Sequence, residues 1–101
     1  MAKRSSVVRN LKRTQLVAKF AAKRMELKSV LSNPASSDVE FFAAQRRLAK
    51  LPRNSCAVRL RNRCSITGRC RGFHRRFGVS RLVLREMVAG GYIPGVIKSS
   101  W

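Results

Sequence analysis

The chain of 101 residues carries 23 Lys and Arg against 4 Asp and Glu, which gives a formal net charge of +19 at pH 7. A chain this short buries only a modest core, and such a charge repels itself in a compact fold unless a polyanion neutralises it. The composition therefore argues against an ordinary soluble globular protein and favours a nucleic acid or an anionic membrane as the partner.

A membrane span and a disulfide framework are both disfavoured. The first apolar stretch, residues 16–22, is interrupted by Lys19 and is too short to cross a bilayer. No secretory signal is recognisable, and an odd number of cysteines does not suit a disulfide framework in a reducing compartment. The basic, acid-poor start resembles a mitochondrial transit peptide, so an organellar location stays open.

Two helices are predicted in the first half of the chain. Residues 7–31 are rich in helix formers and contain no Gly or Pro. Residues 32–36 form a break, and a capping box that begins at Ser37 opens a second helix, which ends at Pro52. We therefore expect a helical hairpin or bent helix pair over residues 7–50, whose apolar stripes pack on each other or on a partner protein.

The composition changes after Pro52. Residues 53–85 contain ten arginines, no lysine and no acidic residue. Three glycines interrupt this segment, at Gly68, Gly72 and Gly78. Glycines at this density predict turns and short extended pieces rather than one long helix.

A third, short helix is predicted near the end of the sequence. Ser80 is a suitable N-cap for a helix over residues 81–89, and the glycine pair at 90–91 ends it. Residues 92–95 then predict a turn, followed by a short tail that finishes at Trp101.

The ten arginines are the strongest functional signal. The planar guanidinium binds phosphate through two parallel hydrogen bonds and stacks on bases, which the ammonium group of lysine does not. Phe73, His74 and Phe77 lie among these arginines and offer stacking faces that suit irregular or single-stranded RNA. The segment therefore predicts an RNA-binding surface.

Metal binding and catalysis are both weakly supported. Cys56, Cys64, Cys70 and His74 have seven, five and three residues between them, and only the last gap lies in the range of two to four that is usual in zinc sites. One histidine and four scattered acidic residues form no recognisable catalytic set. We predict no catalytic residue, no metal, no cofactor and no small-molecule substrate.

The motifs of the second half, taken in order, resemble one family. They are residues 61–69 (RNRCSITGR), 72–81 (GFHRRFGVSR), 85–86 (RE), 91–95 (GYIPG) and 98–101 (KSSW). This order is similar to that of the fourteenth small-subunit ribosomal protein of bacteria and organelles. The resemblance extends over the whole chain, including its helical first half.

The family has a shorter form that binds zinc through two CxxC pairs and a longer form without zinc. The resemblance matches its four ligand positions to Cys64, Thr67, Ser80 and Val83. Three of the four ligands are therefore absent, so the chain is similar to the longer, zinc-free form, with Cys64 as a remnant ligand. RNA and apolar packing would then hold the knuckle. The expected packing residues are Ile66, Phe73, Phe77, Val79, Leu82 and Val83.

The resemblance implies a mainly α fold with irregular segments. An extended N-terminal helical arm (residues 1–52) would precede a small zinc-knuckle-like module that lacks the metal (residues 53–101). It implies a non-enzymatic, structural constituent of the ribosome that binds small-subunit ribosomal RNA in the head of the subunit. Such a protein would support assembly of the subunit and the conformation near the decoding A site.

The resemblance also implies partners and binding residues. The expected neighbours are the third, tenth, thirteenth and nineteenth small-subunit proteins, on a cytoplasmic ribosome, with a mitochondrial ribosome left open. The expected RNA contacts are made by Arg53, Arg59, Arg61, Asn62, Arg63, Arg69, Arg71, Phe73, His74, Arg75, Arg76, Phe77, Arg81 and Arg85.

Two other functions stay open at this point. A zinc-finger-like nucleic-acid-binding regulator would contain stoichiometric zinc after purification. A cationic membrane-active peptide would bind anionic vesicles tightly and would lack a salt-sensitive preference for structured RNA.

Overall fold

The computed structural model describes residues 1–100, and Trp101, the predicted end of the tail, lies outside them. In chain order, the elements are α1 (Arg4–Ser32), α2 (Asp38–Lys50), the 3-10 turns Arg53–Ser55 and Ala57–Arg59, β1 (Phe73–His74), β2 (Val79–Ser80) and α3 (Arg81–Ala89). The predicted fold class is confirmed: the chain is mainly helical, with a long N-terminal helix and a small strand-containing C-terminal region. None of the helices within residues 1–100 combines the length and apolar character of a transmembrane segment.

Tertiary contacts divide the chain into two compact units. The first, Arg9–Leu60, is called the helical unit here. The second combines Met1–Val8 with the residues from Arg61 onward and is called the knuckle unit. The boundaries of these units differ from those of the predicted segments 1–52 and 53–101. The two predicted segments as domains stay a prediction.

In the helical unit, the predicted capping box begins α2. The Ser37 hydroxyl accepts a hydrogen bond from the Glu40 N–H, and the Glu40 carboxylate accepts one from the Ser37 N–H, each at 3.3 Å. These two bonds satisfy backbone donors that would otherwise lack partners in the first turn. The helix ends at Lys50, with extended backbone at Leu51 and then Pro52, as the sequence predicts.

A hydrogen-bonded clamp ties α1 to the turn that follows α2. The Arg24 guanidinium donates to the Ser55 hydroxyl at 3.1 and 2.9 Å and to the Pro52 carbonyl at 3.2 Å. The Ser55 hydroxyl itself donates to the Pro52 carbonyl and is 1% exposed. This contact is absent from the sequence-based expectations, because nothing local distinguishes Arg24 from the other cations of α1.

The apolar faces of the two helices bury few side chains. Leu27 of α1 and Ala44 of α2 are buried and line the same cavity. On α2, Phe41 and Phe42 stay exposed and contact each other edge to face, with 5.6 Å between ring centroids. Leu27 and Ala44 thus line one cavity, but apolar surface on α2 stays uncovered, and packing of the two apolar stripes along their length stays a prediction.

The knuckle unit contains the hairpin of β1 and β2. Phe73 pairs with Ser80 and His74 pairs with Val79. The His74 carbonyl accepts hydrogen bonds from the N–H groups of Phe77 and Gly78, which closes the turn. The turn requires glycine at position 78, where φ is +68°.

Helix α3 begins directly after the hairpin and ends where the sequence predicts. Ser80 occupies the N-cap position, but its hydroxyl makes no capping hydrogen bond because the side chain is buried against the core. The Gly90 N–H donates to the Glu86 carbonyl, and Gly91 takes a φ of +76° beyond the last turn. Gly91 thus provides the left-handed conformation common at helix C-termini.

The core of the knuckle unit is smaller than the predicted packing set. Cys64, Val79 and Val83 are buried, and Leu84 and Met87 pack against them. Three predicted packing residues stay exposed instead: Ile66, Phe77 and Leu82. For α3 the reason is periodicity, because positions 83, 84 and 87 share one face of the helix and position 82 falls outside it.

The N-terminal segment packs on the loop that follows Cys64. The Ala2 N–H donates to the Thr67 carbonyl at 3.2 Å. Gly68 has a φ of +72°, and a Cβ added there would lie 2.8 Å from Cγ2 of Val7. The missing side chain at Gly68 therefore permits the close approach of Val7.

We expect Gly68→Ala to lower the melting temperature of the protein more than Gly78→Ala does. Both glycines have positive φ, which costs an alanine about 1–2 kcal/mol. Only the Cβ at position 68 also meets Val7, since a Cβ at position 78 meets no atom within 4 Å. Thermal unfolding followed by circular dichroism measures the difference, and adding Val7→Ala to Gly68→Ala should remove it. Equal destabilisation by the two glycine variants would contradict the packing of Val7 on Gly68.

Candidate nucleic-acid interface

Eight of the ten predicted arginines lie in the knuckle unit, and we call these eight the arginine belt. They are Arg61, Arg63, Arg69, Arg71, Arg75, Arg76, Arg81 and Arg85. Six are exposed, whereas Arg63 and Arg69 are half-buried. Glu86 is the single acidic residue in this part of the sequence. The belt therefore carries a large uncompensated positive charge at a mostly exposed surface.

The other two predicted arginines belong to the helical unit. Arg53 is exposed at the start of the first 3-10 turn. Arg59 is exposed too, and its Nη1 donates to the Asn54 side-chain oxygen at 2.7 Å. Asn62, the predicted amide contact, is exposed in the knuckle unit.

Main-chain hydrogen bonds shape the loop that carries the first belt residues. The Cys64 N–H donates to the Arg69 carbonyl and the Gly68 N–H donates to the Cys64 carbonyl, each at 2.9 Å. The Arg63 Nη1 donates to the Gly68 carbonyl at 2.9 Å. The Arg63 guanidinium therefore has a structural role, because it holds the loop closed. The sequence predicts only an RNA contact for this residue.

The Arg81 side chain lies across the start of the hairpin. Its backbone N–H donates to the Gly72 carbonyl at 2.7 Å. Gly72 has a φ of +62°, and a Cβ there would lie 3.1 Å from both Cγ and Cδ of Arg81. The glycine therefore leaves room for the aliphatic part of Arg81, whose guanidinium stays exposed.

The predicted stacking residues differ in their availability. His74 and Phe77 are exposed at the two ends of the hairpin turn, and Phe77 retains 37% of its surface. Phe73 is half-buried in β1. Two of the three rings are therefore free to receive a base, and Phe73 offers only part of its face.

The four positions that the resemblance matched to zinc ligands, Cys64, Thr67, Ser80 and Val83, lie close together in the knuckle unit. Cys64, Ser80 and Val83 are buried, and the Oγ atoms of Thr67 and Ser80 are buried without a hydrogen-bond partner of normal geometry among the described residues. The set offers one thiol, two hydroxyls and a hydrocarbon, whereas zinc prefers thiolate and imidazole ligands. Within residues 1–100 no group of three His, Cys, Asp or Glu side chains is arranged to hold a metal. These residues do not fit zinc.

The Cys64 thiol has an unusual electrostatic environment. Burial raises its pKa, whereas the nearby Thr67 hydroxyl and the backbone N–H groups of Thr67, Ser80 and Ile66 favour the thiolate and lower it. The balance lowers the pKa of Cys64 from 9.0 to about 6. Cys64 thus lies at the centre of the core in surroundings that favour its thiolate.

Comparisons with known proteins decide the family. A family model described as ribosomal protein S14p/S29e matches residues 47–100. The chain is also 56% identical to small ribosomal subunit protein uS14 of Opitutus terrae and 54% identical to that of Roseobacter denitrificans. Both alignments cover 100% of this chain and of the relative.

The chain belongs to the ribosomal protein S14 family. The resemblance stated from the sequence motifs is therefore confirmed. This family is structural and non-enzymatic, which agrees with the prediction that the chain is not an enzyme. Membership also favours the ribosomal interpretation over a zinc-finger-like regulator or a membrane-active peptide.

The N-terminal segment is the part of the candidate interface that sequence reasoning missed. Met1 and Ala2 line a pocket together with the belt residues Arg63, Arg69 and Arg71. The sequence predicts a separate helical arm for the first residues, because they continue into a helix-forming stretch. Gly68 is the one sequence signal of this contact, since its missing side chain accommodates Val7.

We expect the free energy of unfolding to rise with pH between about 6 and 9, because folding lowers the pKa of Cys64 from 9.0 to about 6. In that window the folded state holds a thiolate and the unfolded state a thiol, so the stabilisation is complete above pH 9 and is lost as the pH falls through 6. Urea unfolding at several pH values measures it. Cys64→Ser should remove most of the rise and Cys70→Ser should retain it. The same pH dependence in both variants would contradict a stabilised Cys64 thiolate.

Proposed function

We propose that the chain is a structural constituent of the small ribosomal subunit that binds ribosomal RNA through the arginine belt. The observation that carries this proposal is eight arginines in one compact unit with a single acidic residue. Charge of this density favours a polyanion, and guanidinium groups match phosphate geometry. Family membership supports ribosomal RNA as that polyanion, since the relatives are named small ribosomal subunit proteins.

A finer placement in the subunit belongs to the same proposal. We infer that the chain binds in the head of the small subunit, supports its assembly and stabilises the conformation near the decoding A site. The family resemblance supports this placement. The structure adds that the belt surface is irregular, with glycine turns and exposed rings at His74 and Phe77, which suits folded RNA better than a uniform duplex.

We propose that neighbouring proteins contact the exposed apolar surface of the helical unit. Phe42 and Val39 of α2 are 54% and 80% exposed, and Val58 is 89% exposed in the second 3-10 turn. Exposed apolar side chains of this size favour contact with other proteins. We infer that the third, tenth, thirteenth and nineteenth proteins of the small subunit are the neighbours, on ribosomes of the cytoplasm.

We expect the affinity for a transcript of small-subunit ribosomal RNA to fall steeply with salt. Each phosphate that the belt neutralises releases about 0.7–0.9 counterions, so the slope of log affinity against log salt counts the contacts. Filter binding at several salt concentrations measures this slope.

Matched substitutions at Arg75, an exposed belt residue, separate charge from geometry. Arg75→Gln should reduce the salt slope by about 1, because it removes one phosphate contact. Arg75→Lys should keep the slope while weakening binding, because lysine retains the charge and loses the planar fork. A shallow slope for the wild-type protein would contradict RNA binding by the belt.

A further inference from the structure

A small basic pocket opens at the surface of the knuckle unit, where the N-terminal residues meet three residues of the belt. Its volume is about 250 Å³, and it is lined by Met1, Ala2, Arg63, Arg69, Cys70 and Arg71. Three of the six lining residues are arginines and none is acidic. A pocket whose lining residues include three arginines and no acidic residue favours an anion.

Hydrogen bonds within the protein hold part of the lining of this pocket in place. The Ala2 N–H bonds the Thr67 carbonyl on one side, and the Cys64 N–H bonds the Arg69 carbonyl on the other. Arg63 is held by its bond to the Gly68 carbonyl. Because Arg63 is already positioned, it loses less conformational entropy when a ligand binds.

The hydrogen bonding of Arg63 is incomplete. Its Nη1 has a carbonyl acceptor, but its Nε is buried and has no acceptor among the described residues. A buried guanidinium N–H without a partner costs free energy, so the protein alone leaves this side chain unsatisfied. An acceptor rich in oxygen atoms beside Arg63 would complete it after a small movement of the side chain.

We propose that this pocket binds one backbone phosphate of the RNA, and that the N-terminal segment is therefore part of the RNA-binding site. The inference rests on the proposed function and adds a specific position to it. An RNA phosphate is favoured over a free phosphate ion because the same strand can reach the neighbouring exposed arginines of the belt. Several linked contacts on one strand raise the overall affinity above that of a single phosphate. The residues of the pocket are contributed by two segments of the chain that are about sixty residues apart in sequence.

Cys70 makes the proposal directly testable, because it is a half-buried free thiol in the wall of the pocket. Cys56 is also half-buried and free but belongs to the helical unit, and Cys64 is buried. In the full chain, Cys56→Ser leaves Cys70 as the accessible thiol, and Cys70→Ser leaves Cys56. Labelling of each variant with N-ethylmaleimide is followed by mass spectrometry.

A transcript of small-subunit ribosomal RNA should slow the labelling of Cys70 about tenfold when about nine tenths of the protein is bound. Labelling of Cys56 should change much less. Arg69→Gln should diminish the protection of Cys70 and lower the salt slope by about 1. Arg46→Gln removes the same charge from an exposed position of α2 and should leave the protection of Cys70 unchanged.

Each other outcome overturns a defined part of the account. If the RNA binds while Cys70 stays unprotected, the pocket does not bind an RNA phosphate, although the proposed function stands. The pocket would then suit an acidic segment of a partner protein. Equal protection by inorganic phosphate, at the same phosphate concentration and ionic strength, would overturn the assignment to RNA. Failure of the RNA to bind at low salt would overturn the proposed function itself.

Discussion

Repulsion among uncompensated positive charges is the constraint on which the rest of this structure depends. The chain carries a net charge of +19, and its buried hydrophobic residues within positions 1–100 are Leu27, Ala44, Cys64, Val79 and Val83. So small a core contributes little against that repulsion. With four carboxylates in the sequence, arginines are instead held by carbonyl and hydroxyl oxygens, as Arg24 is at Ser55 and Arg63 is at Gly68. The protein thus keeps its cations charged and mostly exposed, which is the state that a polyanion can use.

The centre of the knuckle unit is also built from a few side chains and backbone groups, arranged around Cys64. The Cys64 sulfur packs there against two valines, Val79 and Val83. Ile66, Thr67 and Ser80 direct backbone N–H groups at Cys64, and this arrangement lowers the pKa of its thiol. The hairpin places Val79 and Ser80 beside that sulfur, and α3 adds Val83. Main-chain hydrogen bonds between Cys64 and Arg69 and between Gly68 and Cys64 hold the loop that carries Arg63 and Arg69.

Local sequence signals predict the helices well. They do not predict the contacts between residues that are far apart in the sequence. The capping box at Ser37 and the glycines after Ala89 specify their own backbone geometry, so the ends of α2 and α3 were predictable. The Arg24 clamp and the packing of Val7 on Gly68 join residues far apart in the chain, and no local pattern encodes such pairs. The arginine belt was predictable as a set because composition alone reveals it. Its division into exposed and half-buried members was not, because that depends on how the loop after Cys64 folds.

A density map of the ribosome that contains this chain tests the central claim most directly. The account predicts that the guanidinium groups of the exposed belt residues, such as Arg75 and Arg81, lie within hydrogen-bond distance of ribosomal RNA, mostly at its phosphates. It also predicts that the exposed apolar surface of α2 faces protein instead of RNA. A map in which the belt faces solvent or other proteins, while RNA contacts are made mainly by α1 and α2, would contradict it.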